Sequence, residues 1–132
     1  MTIELTYLAY TIALFFAVVG IQAVAGIRQH GAVPLANNRD NLAPPGVFPA
    51  RTKRLTDNFR ENLWFFAPLV LIAAIAGISN QWTALGAQMF FWARLGHAIL
   101  YITGLPLVRP LFWFAGVVGC GMIFLSLFGV LA

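Results

Sequence analysis

The sequence has very little charge and almost no cysteine. Only 9% of its 132 residues are charged, whereas soluble globular domains average about 25%. The single cysteine, Cys120, permits no disulfide within one chain and no cysteine pair for a metal site. Because 61% of the residues are hydrophobic, the composition excludes an ordinary soluble domain. The net charge of +4 is therefore interpreted as a feature of membrane orientation, and no nucleic-acid partner is expected.

Long apolar segments separated by short polar ones predict membrane-spanning helices. Residues 5–27 contain no charge, and about 20 apolar residues suffice to cross a bilayer. The stretch Gln29–Pro49 is rich in proline, glycine and asparagine, as is typical of an exposed connector. A second link, at Ser79–Gln81, is short enough to make its two helices antiparallel neighbours. The predicted fold is all-α, an integral membrane four-helix bundle forming one domain over 1–132, with helices at about 5–28, 49–79, 84–104 and 110–131.

The distribution of basic residues predicts the orientation of this bundle. Four crossings place both termini on one side and the first and third connectors on the other. Seven of the eight Lys and Arg residues lie on the connector side, and the terminus side has only Glu4. By the positive-inside rule the connectors are cytoplasmic. The seven residues are Arg28, Arg39, Arg51, Lys53, Arg54, Arg60 and Arg109.

Polar residues form a stripe on each of the two central predicted helices. The stripe on the second helix has spacings of three, four and three, which place its members on one face: Arg51, Arg54, Asn58 and Glu61. The stripe on the third helix has spacings of three and four: Arg94, His97 and Tyr101. Glu61 and Tyr101 lie at similar distances from the link between these helices, so we expect the stripes to meet.

Arg94 is the eighth basic residue, and it falls near the middle of the bilayer. An Arg exposed to lipid there costs about 2.5 to 3.5 kcal/mol or more, so Arg94 must face protein. A carboxylate, a neighbouring subunit or a water-filled cavity are alternative partners for it.

Simpler structural interpretations exist for several of these residues. Arg28 and Arg109 fit the pattern of interfacial anchors. Asp57 is spaced to pair with Arg54 or Arg60 along one helix, and His97 and Tyr101 fit satisfied core residues. As a group, however, intramembrane ionisable residues favour a functional site. The sequence has no nucleophile elbow, paired carboxylates, phosphate loop or HxxxH pair, and no metal site is predicted. A cationic pocket that opens toward lipid suits a small polar anion used together with a hydrophobic substrate.

Two runs of sequence resemble one known family. ARTKRLTDNFRENLWFFAPL contains R-x-x-R-x-x-x-N-x-x-E, and FFWARLGHAILYITGLPLVRP contains R-x-x-H-x-x-x-Y followed by an Arg. Together with the NNRD stretch of the first connector, these runs resemble the membrane-associated proteins in eicosanoid and glutathione metabolism. The chain looks like a bacterial member of that family. The resemblance implies a homotrimer of four-helix subunits in the bacterial inner membrane, with an active-site edge near the cytoplasmic face. The positive-inside rule adds that both termini are periplasmic.

The resemblance also implies that the site binds glutathione as a co-substrate at subunit interfaces. Glu61 would hold its amino group and the arginines its carboxylates. Arg109 would favour the thiolate, and with Tyr101 it is a candidate catalytic residue. The candidate glutathione-binding residues are Arg28, Arg51, Arg54, Asn58, Glu61, Arg94, His97 and Tyr101.

Three positions depart from the family pattern. Trp64 replaces a common Pro, Pro110 replaces a Ser found in some catalytic members, and Asp57 replaces an Arg found in some eukaryotic ones. The leading hypothesis is a glutathione-dependent membrane transferase or peroxidase that attacks lipophilic electrophiles with the thiolate. The alternative, motivated by Asp57 and Pro110, is a non-catalytic scaffold or accessory subunit. A small transporter is a third hypothesis, disfavoured because the helices offer no continuous polar path.

Overall fold

The computed structural model describes all 132 residues, and it consists of four long helices and one short one. The helices are α1 (Ile3–His30), α2 (Ala32–Ala36), α3 (Val47–Ile75), α4 (Gln81–Thr103) and α5 (Arg109–Leu127). The four long helices correspond to the four predicted ones. The short α2 lies within the first connector and was not predicted.

Local backbone preferences shift several helix ends away from the predicted positions. Helix α3 ends at Ile75 rather than near 79, because Gly77 adopts a left-handed φ of 68°. Helix α4 begins at Gln81 rather than near 84, because the Asn80 side chain accepts hydrogen bonds from two backbone amides of its first turn. The link between α3 and α4 is therefore residues 76–80, longer than the predicted Ser79–Gln81. Helix α5 ends at Leu127, shortly before the left-handed Gly129.

The connector between α1 and α3 is attached to the end of α1 by one side chain. The Gln29 amide donates from Nε2 to the carbonyl oxygen of Pro44 at 2.9 Å, and its Oε1 accepts from the backbone amide of Gly46 at 2.9 Å. Both contacts lie directly before the first turn of α3. Gln29 thereby fixes where α3 starts relative to the end of α1.

Helices α4 and α5 make the most extensive contact in the bundle, and α1 packs mainly on α3. Two glycines permit the close approach of α4 and α5. A Cβ at Gly86 would lie 2.5 Å from the carbonyl oxygen of Gly119, and a Cβ at Gly119 would lie 2.5 Å from that of Gly86. Small residues at such a crossing let the two backbones touch. Helix α3 also contacts α4 and α5.

The interior contains two apolar clusters. The larger is centred on the rings of Phe66 and Phe90, which stack with centroids 4.0 Å apart; its buried members are Leu8, Phe66, Val70, Ala73, Ala87, Phe90 and Ile123. The smaller joins α1, α3 and α4 and contains Val18, Leu55, Phe59 and Ala98. The site residues lie between α3, α4 and α5, beside these clusters.

The outer surface of the bundle is strongly apolar. Phe16, Trp64 and Ile75 are 72%, 73% and 88% exposed. Apolar patches of this kind are rare on soluble monomers and mark contact with lipid or with another protein. Two helices, α1 and α5, are long and apolar enough to cross a membrane. Helices α3 and α4 carry the polar stripes, which lowers their mean hydropathy.

The glycine contact between α4 and α5 predicts a sharp difference between two neighbouring substitutions. Gly119→Ala places a methyl group against the Gly86 carbonyl and should lower the thermal unfolding midpoint in detergent by several degrees. Gly121→Ala is the matched control, because no atom lies within 4 Å of its Cβ position; it should leave the midpoint unchanged or slightly raised, since Ala favours helix over Gly. Equal midpoints for the two variants would contradict the close crossing.

Candidate functional site

A cavity opens between α3, α4 and the start of α5, at the place where the predicted polar stripes meet. Its volume is about 640 Å³, within the range of roughly 300 to 1,000 Å³ typical of ligand pockets. It is lined by Arg54, Asn58, His97, Tyr101, Leu107, Arg109, Pro110 and Trp113. Five of the nine predicted site residues are in this set, and no Asp or Glu lines the cavity.

Helical spacing and the break before α5 bring these side chains together. Arg54 and Asn58 are one turn apart on α3, and His97 and Tyr101 are one turn apart on α4. The rings of His97 and Tyr101 have centroids 4.9 Å apart. Residues 104–108 then reverse the chain, so that Arg109 in the first turn of α5 faces the end of α4.

Arg109 stacks on Tyr101 at the mouth of the cavity. Its guanidinium carbon lies 4.6 Å from the centroid of the Tyr101 ring, a cation–π contact worth about 0.5 to 1 kcal/mol at exposed sites. Two left-handed residues shape the turn that delivers it, Gly104 with φ 78° and Leu107 with φ 67°. The contact leaves the N–H groups of Arg109 without a hydrogen bond to a protein acceptor, so they are available to an anion.

Arg94 does not line the cavity but lies directly beneath it. Its side chain is completely buried, at 0% exposure. Nη1 donates to Oδ1 of Asn58 at 3.2 Å, and Nη2 donates to the carbonyl oxygen of Phe112 at 3.3 Å, while Nε has no partner. Both ion pairs in the chain involve Asp57, so Arg94 faces no carboxylate. In place of the carboxylate considered from the sequence, the structure supplies two neutral oxygens from neighbouring helices of the same chain, a partner that was not predicted.

Two glycines make room for this arrangement. A Cβ at Gly116 of α5 would lie 3.3 Å from Nη2 of Arg94, and a Cβ at Gly96 of α4 would lie 2.2 Å from the Phe112 ring. The Phe112 ring therefore packs directly against the backbone of Gly96. The backbone carbonyl of Phe112 accepts the hydrogen bond from the Arg94 guanidinium. The sequence did not predict either of these two partners of Arg94.

Besides Arg94, three predicted site residues lie outside the cavity within one chain. Arg51 lies against the end of α4, where a Cβ at Gly104 would be 2.7 Å from its Nη1. Glu61 is exposed and forms no ion pair. Arg28 lines a separate, mostly apolar cavity of about 840 Å³ between α1 and the start of α3. The structure thus joins part of the predicted set and leaves these three residues on other surfaces.

Asp57, one of the departures from the family pattern, points away from the cavity. In the polar first half of α3 its carboxylate accepts from Lys53 at 2.6 Å and from Arg60 at 2.9 Å. The negative charge at this position is therefore matched on the outer face of α3, and Asp57 places none in the cavity.

Comparison with protein families gives one result that covers nearly the whole chain. A family model described as the MAPEG family matches residues 5–129. This range includes all of α3, α4 and α5 and every residue of the cavity. No curated protein and no solved structure gives a significant match.

The buried guanidinium predicts that Arg94 and Arg60 tolerate the same substitution very differently. Arg94→Lys leaves one ammonium where two separate N–H groups bonded to Asn58 and Phe112, so at least one buried acceptor loses its donor. The expected loss of stability is about 1 to 3 kcal/mol. Arg60→Lys changes an exposed ion pair worth about 0 to 1 kcal/mol. Thermal unfolding of both variants in detergent measures the difference, and a smaller loss for Arg94→Lys than for Arg60→Lys would be incompatible with this geometry.

Proposed function

Since this chain belongs to the MAPEG family, we propose that it is a glutathione-dependent membrane transferase or peroxidase that acts on lipophilic electrophiles. The family is membrane-bound and is associated with glutathione use. The single observation that carries the proposal is the cavity, in which Arg54, Arg109 and Asn58 surround a space free of carboxylates. Glutathione carries two carboxylates and an ionisable thiol, which such donors match.

The proposed reaction begins with loss of the thiol proton to water. In the transferase reaction the thiolate attacks an electrophilic carbon, a C–S bond forms, and the leaving group departs with its electron pair. In the peroxidase reaction the thiolate attacks a hydroperoxide oxygen, the O–O bond breaks, and the alkoxide takes a proton. A second glutathione then reduces the resulting sulfenic acid, giving the disulfide and water. Trp113 and Leu107 provide the apolar wall along which a lipophilic substrate enters from the bilayer.

Arg109 is the residue proposed to stabilise the thiolate, with Tyr101 beside it. Lowering a thiol pKa by one unit requires about 1.4 kcal/mol of preference for the anion, which is within reach of a guanidinium in a partly dry site. The stacking of Arg109 on Tyr101 supports this role, because it fixes the guanidinium plane at the cavity mouth without using its N–H groups.

A neighbouring subunit would supply the remaining candidate residues, which are Glu61, Arg28 and Arg51. A homotrimer would bring these residues of one chain toward the cavity of the next, and Glu61 would then accept from the glutathione amino group. The exposure of Glu61 and the large apolar surface around it support an interface. Within one chain the cavity has no carboxylate to pair with an ammonium.

The proposed placement is the bacterial inner membrane, with four crossings and both termini in the periplasm. Seven basic residues lie on the connector side and none on the terminus side. A C-terminal alkaline phosphatase fusion should be active, and a C-terminal green fluorescent protein fusion exported through the general secretory route should be dark. Fluorescence from the latter, together with an inactive phosphatase, would reverse the orientation.

A non-catalytic scaffold is the second candidate, and Pro110 favours it. Pro110 lines the cavity beside Arg109 and supplies neither a hydroxyl nor an N–H group where some catalytic members have Ser. Calorimetry with glutathione and a conjugation assay with 1-chloro-2,4-dinitrobenzene separate the candidates. Binding with turnover supports the enzyme, binding without turnover supports the scaffold, and absence of binding contradicts a glutathione site altogether.

Two arginines of the cavity should affect different kinetic constants. Arg54→Ala removes a carboxylate partner present in ground and transition states alike, so it should raise KM with little change in kcat. Arg109→Ala should raise the pKa of the bound thiol and lower kcat at neutral pH, with activity recovering as the pH increases.

The ultraviolet absorbance of the thiolate, titrated against pH with the protein saturated, measures this pKa directly. Arg60→Ala, on the outer face of α3, is the control and should change neither constant. An unchanged thiol pKa and kcat in Arg109→Ala would reduce Arg109 to an interfacial anchor.

A further inference from the structure

Asn58 lies between the buried guanidinium of Arg94 and the open cavity. Its Oδ1 accepts from Nη1 of Arg94 at 3.2 Å. The amide nitrogen of Asn62, one turn further along α3, donates to the Asn58 backbone oxygen at 2.7 Å and also lies 3.5 Å from Oδ1. The only groups that approach Oδ1 are thus donors on the protein side.

This contact fixes which way the amide points. A guanidinium has only donors, so the Asn58 atom that faces Arg94 must be the oxygen. The nitrogen Nδ2 then lies in the same plane, on the other side of the Cβ–Cγ axis. It donates to no acceptor within the chain, and Asn58 lines the cavity. Nδ2 therefore presents two N–H groups to the cavity and cannot exchange places with the oxygen while Arg94 is present.

We propose that Arg94 is a positioning residue that locks Asn58 as a donor, and thereby makes this part of the cavity select a carboxylate over an amine or a neutral acid. The proposal rests on the proposed function, since the carboxylate it names is one of those of glutathione. Arg94 itself touches no ligand and acts through Asn58. Its partners are neutral, so its charge also remains available to favour an anion above it.

A purely structural role for the hydrogen bond between Arg94 and Asn58 predicts a different effect of an aspartate at position 58. If Asn58 served only to accept from Arg94, an aspartate would do so at least as well, because a charge-assisted hydrogen bond is stronger than a neutral one. If Asn58 also donates to a carboxylate, an aspartate both removes the donor and places a negative charge against the ligand. Asn58→Asp therefore separates the two roles within one variant.

The experiment measures thermal stability and glutathione binding on the detergent-purified full chain. Asn58→Asp should keep or raise the unfolding midpoint relative to wild type, whereas Asn58→Leu, which leaves Arg94 without this acceptor, should lower it. Glutathione binding by Asn58→Asp should weaken roughly tenfold or more. The loss should be smaller for glutathione diethyl ester, whose carboxylates carry no charge.

Lys53→Gln is the control for net charge. It changes the charge of the chain by the same amount as Asn58→Asp, on the outer face of α3, where Lys53 pairs only with Asp57. Its glutathione affinity should equal that of wild type. An equal loss of glutathione affinity in Lys53→Gln and Asn58→Asp would show a general electrostatic effect. It would overturn the proposal that Arg94 holds Asn58 as a donor.

The remaining outcomes are distinct from one another. Wild-type affinity in Asn58→Asp would overturn the role of Arg94 while leaving glutathione binding intact. A fall in midpoint as large as that of Asn58→Leu would overturn the Arg94–Asn58 hydrogen bond itself. If wild-type protein does not bind glutathione, the proposed function fails, and the midpoints of the two Asn58 variants still decide the hydrogen bond.

Discussion

The arrangement of α3, α4 and α5 depends on one constraint, the buried positive charge of Arg94. Arg94 has no carboxylate partner and donates its two hydrogen bonds to a side-chain oxygen of α3 and a backbone carbonyl of α5. Leaving either acceptor out of reach would strand a buried charge, so the three helices must keep one axial register. The missing side chain of Gly116 leaves room for the Arg94 guanidinium, and that of Gly96 leaves room for the Phe112 ring.

The same constraint shapes the cavity above it. Because both acceptors of Arg94 are neutral oxygens, no negative charge cancels its positive charge beside the cavity. Arg54 and Arg109 add two further guanidinium groups at the rim. Asp57 is paired with Lys53 and Arg60 on the outer face of α3, so its carboxylate does not enter the cavity. The result is a cationic space beside an apolar wall, the combination that the proposed reaction of a polar thiol with a lipophilic electrophile would require.

Helical periodicity made part of the site predictable from the sequence. Residues three or four apart share a face, so the pairs Arg54 with Asn58 and His97 with Tyr101 followed from spacing alone. The stripe from position 51 to 61, however, extends roughly 15 Å along the helix, longer than the cavity, and Arg51 and Glu61 fall beyond its two ends. The backbone partner of Arg94 was not predictable, since it depends on the axial register of α5 against α4. Helix ends shifted where Gly77 took a left-handed conformation that hydropathy does not encode.

The attachment of Gln29 to Pro44 and Gly46 turns the first connector into a closed loop whose two ends are held together by α1 itself. The free energy of closing such a loop grows only slowly with its length. Evolution can therefore lengthen or shorten the intervening segment without moving α3 against α1. The first connector is thus a segment that is free to diverge in length without changing the position of α3.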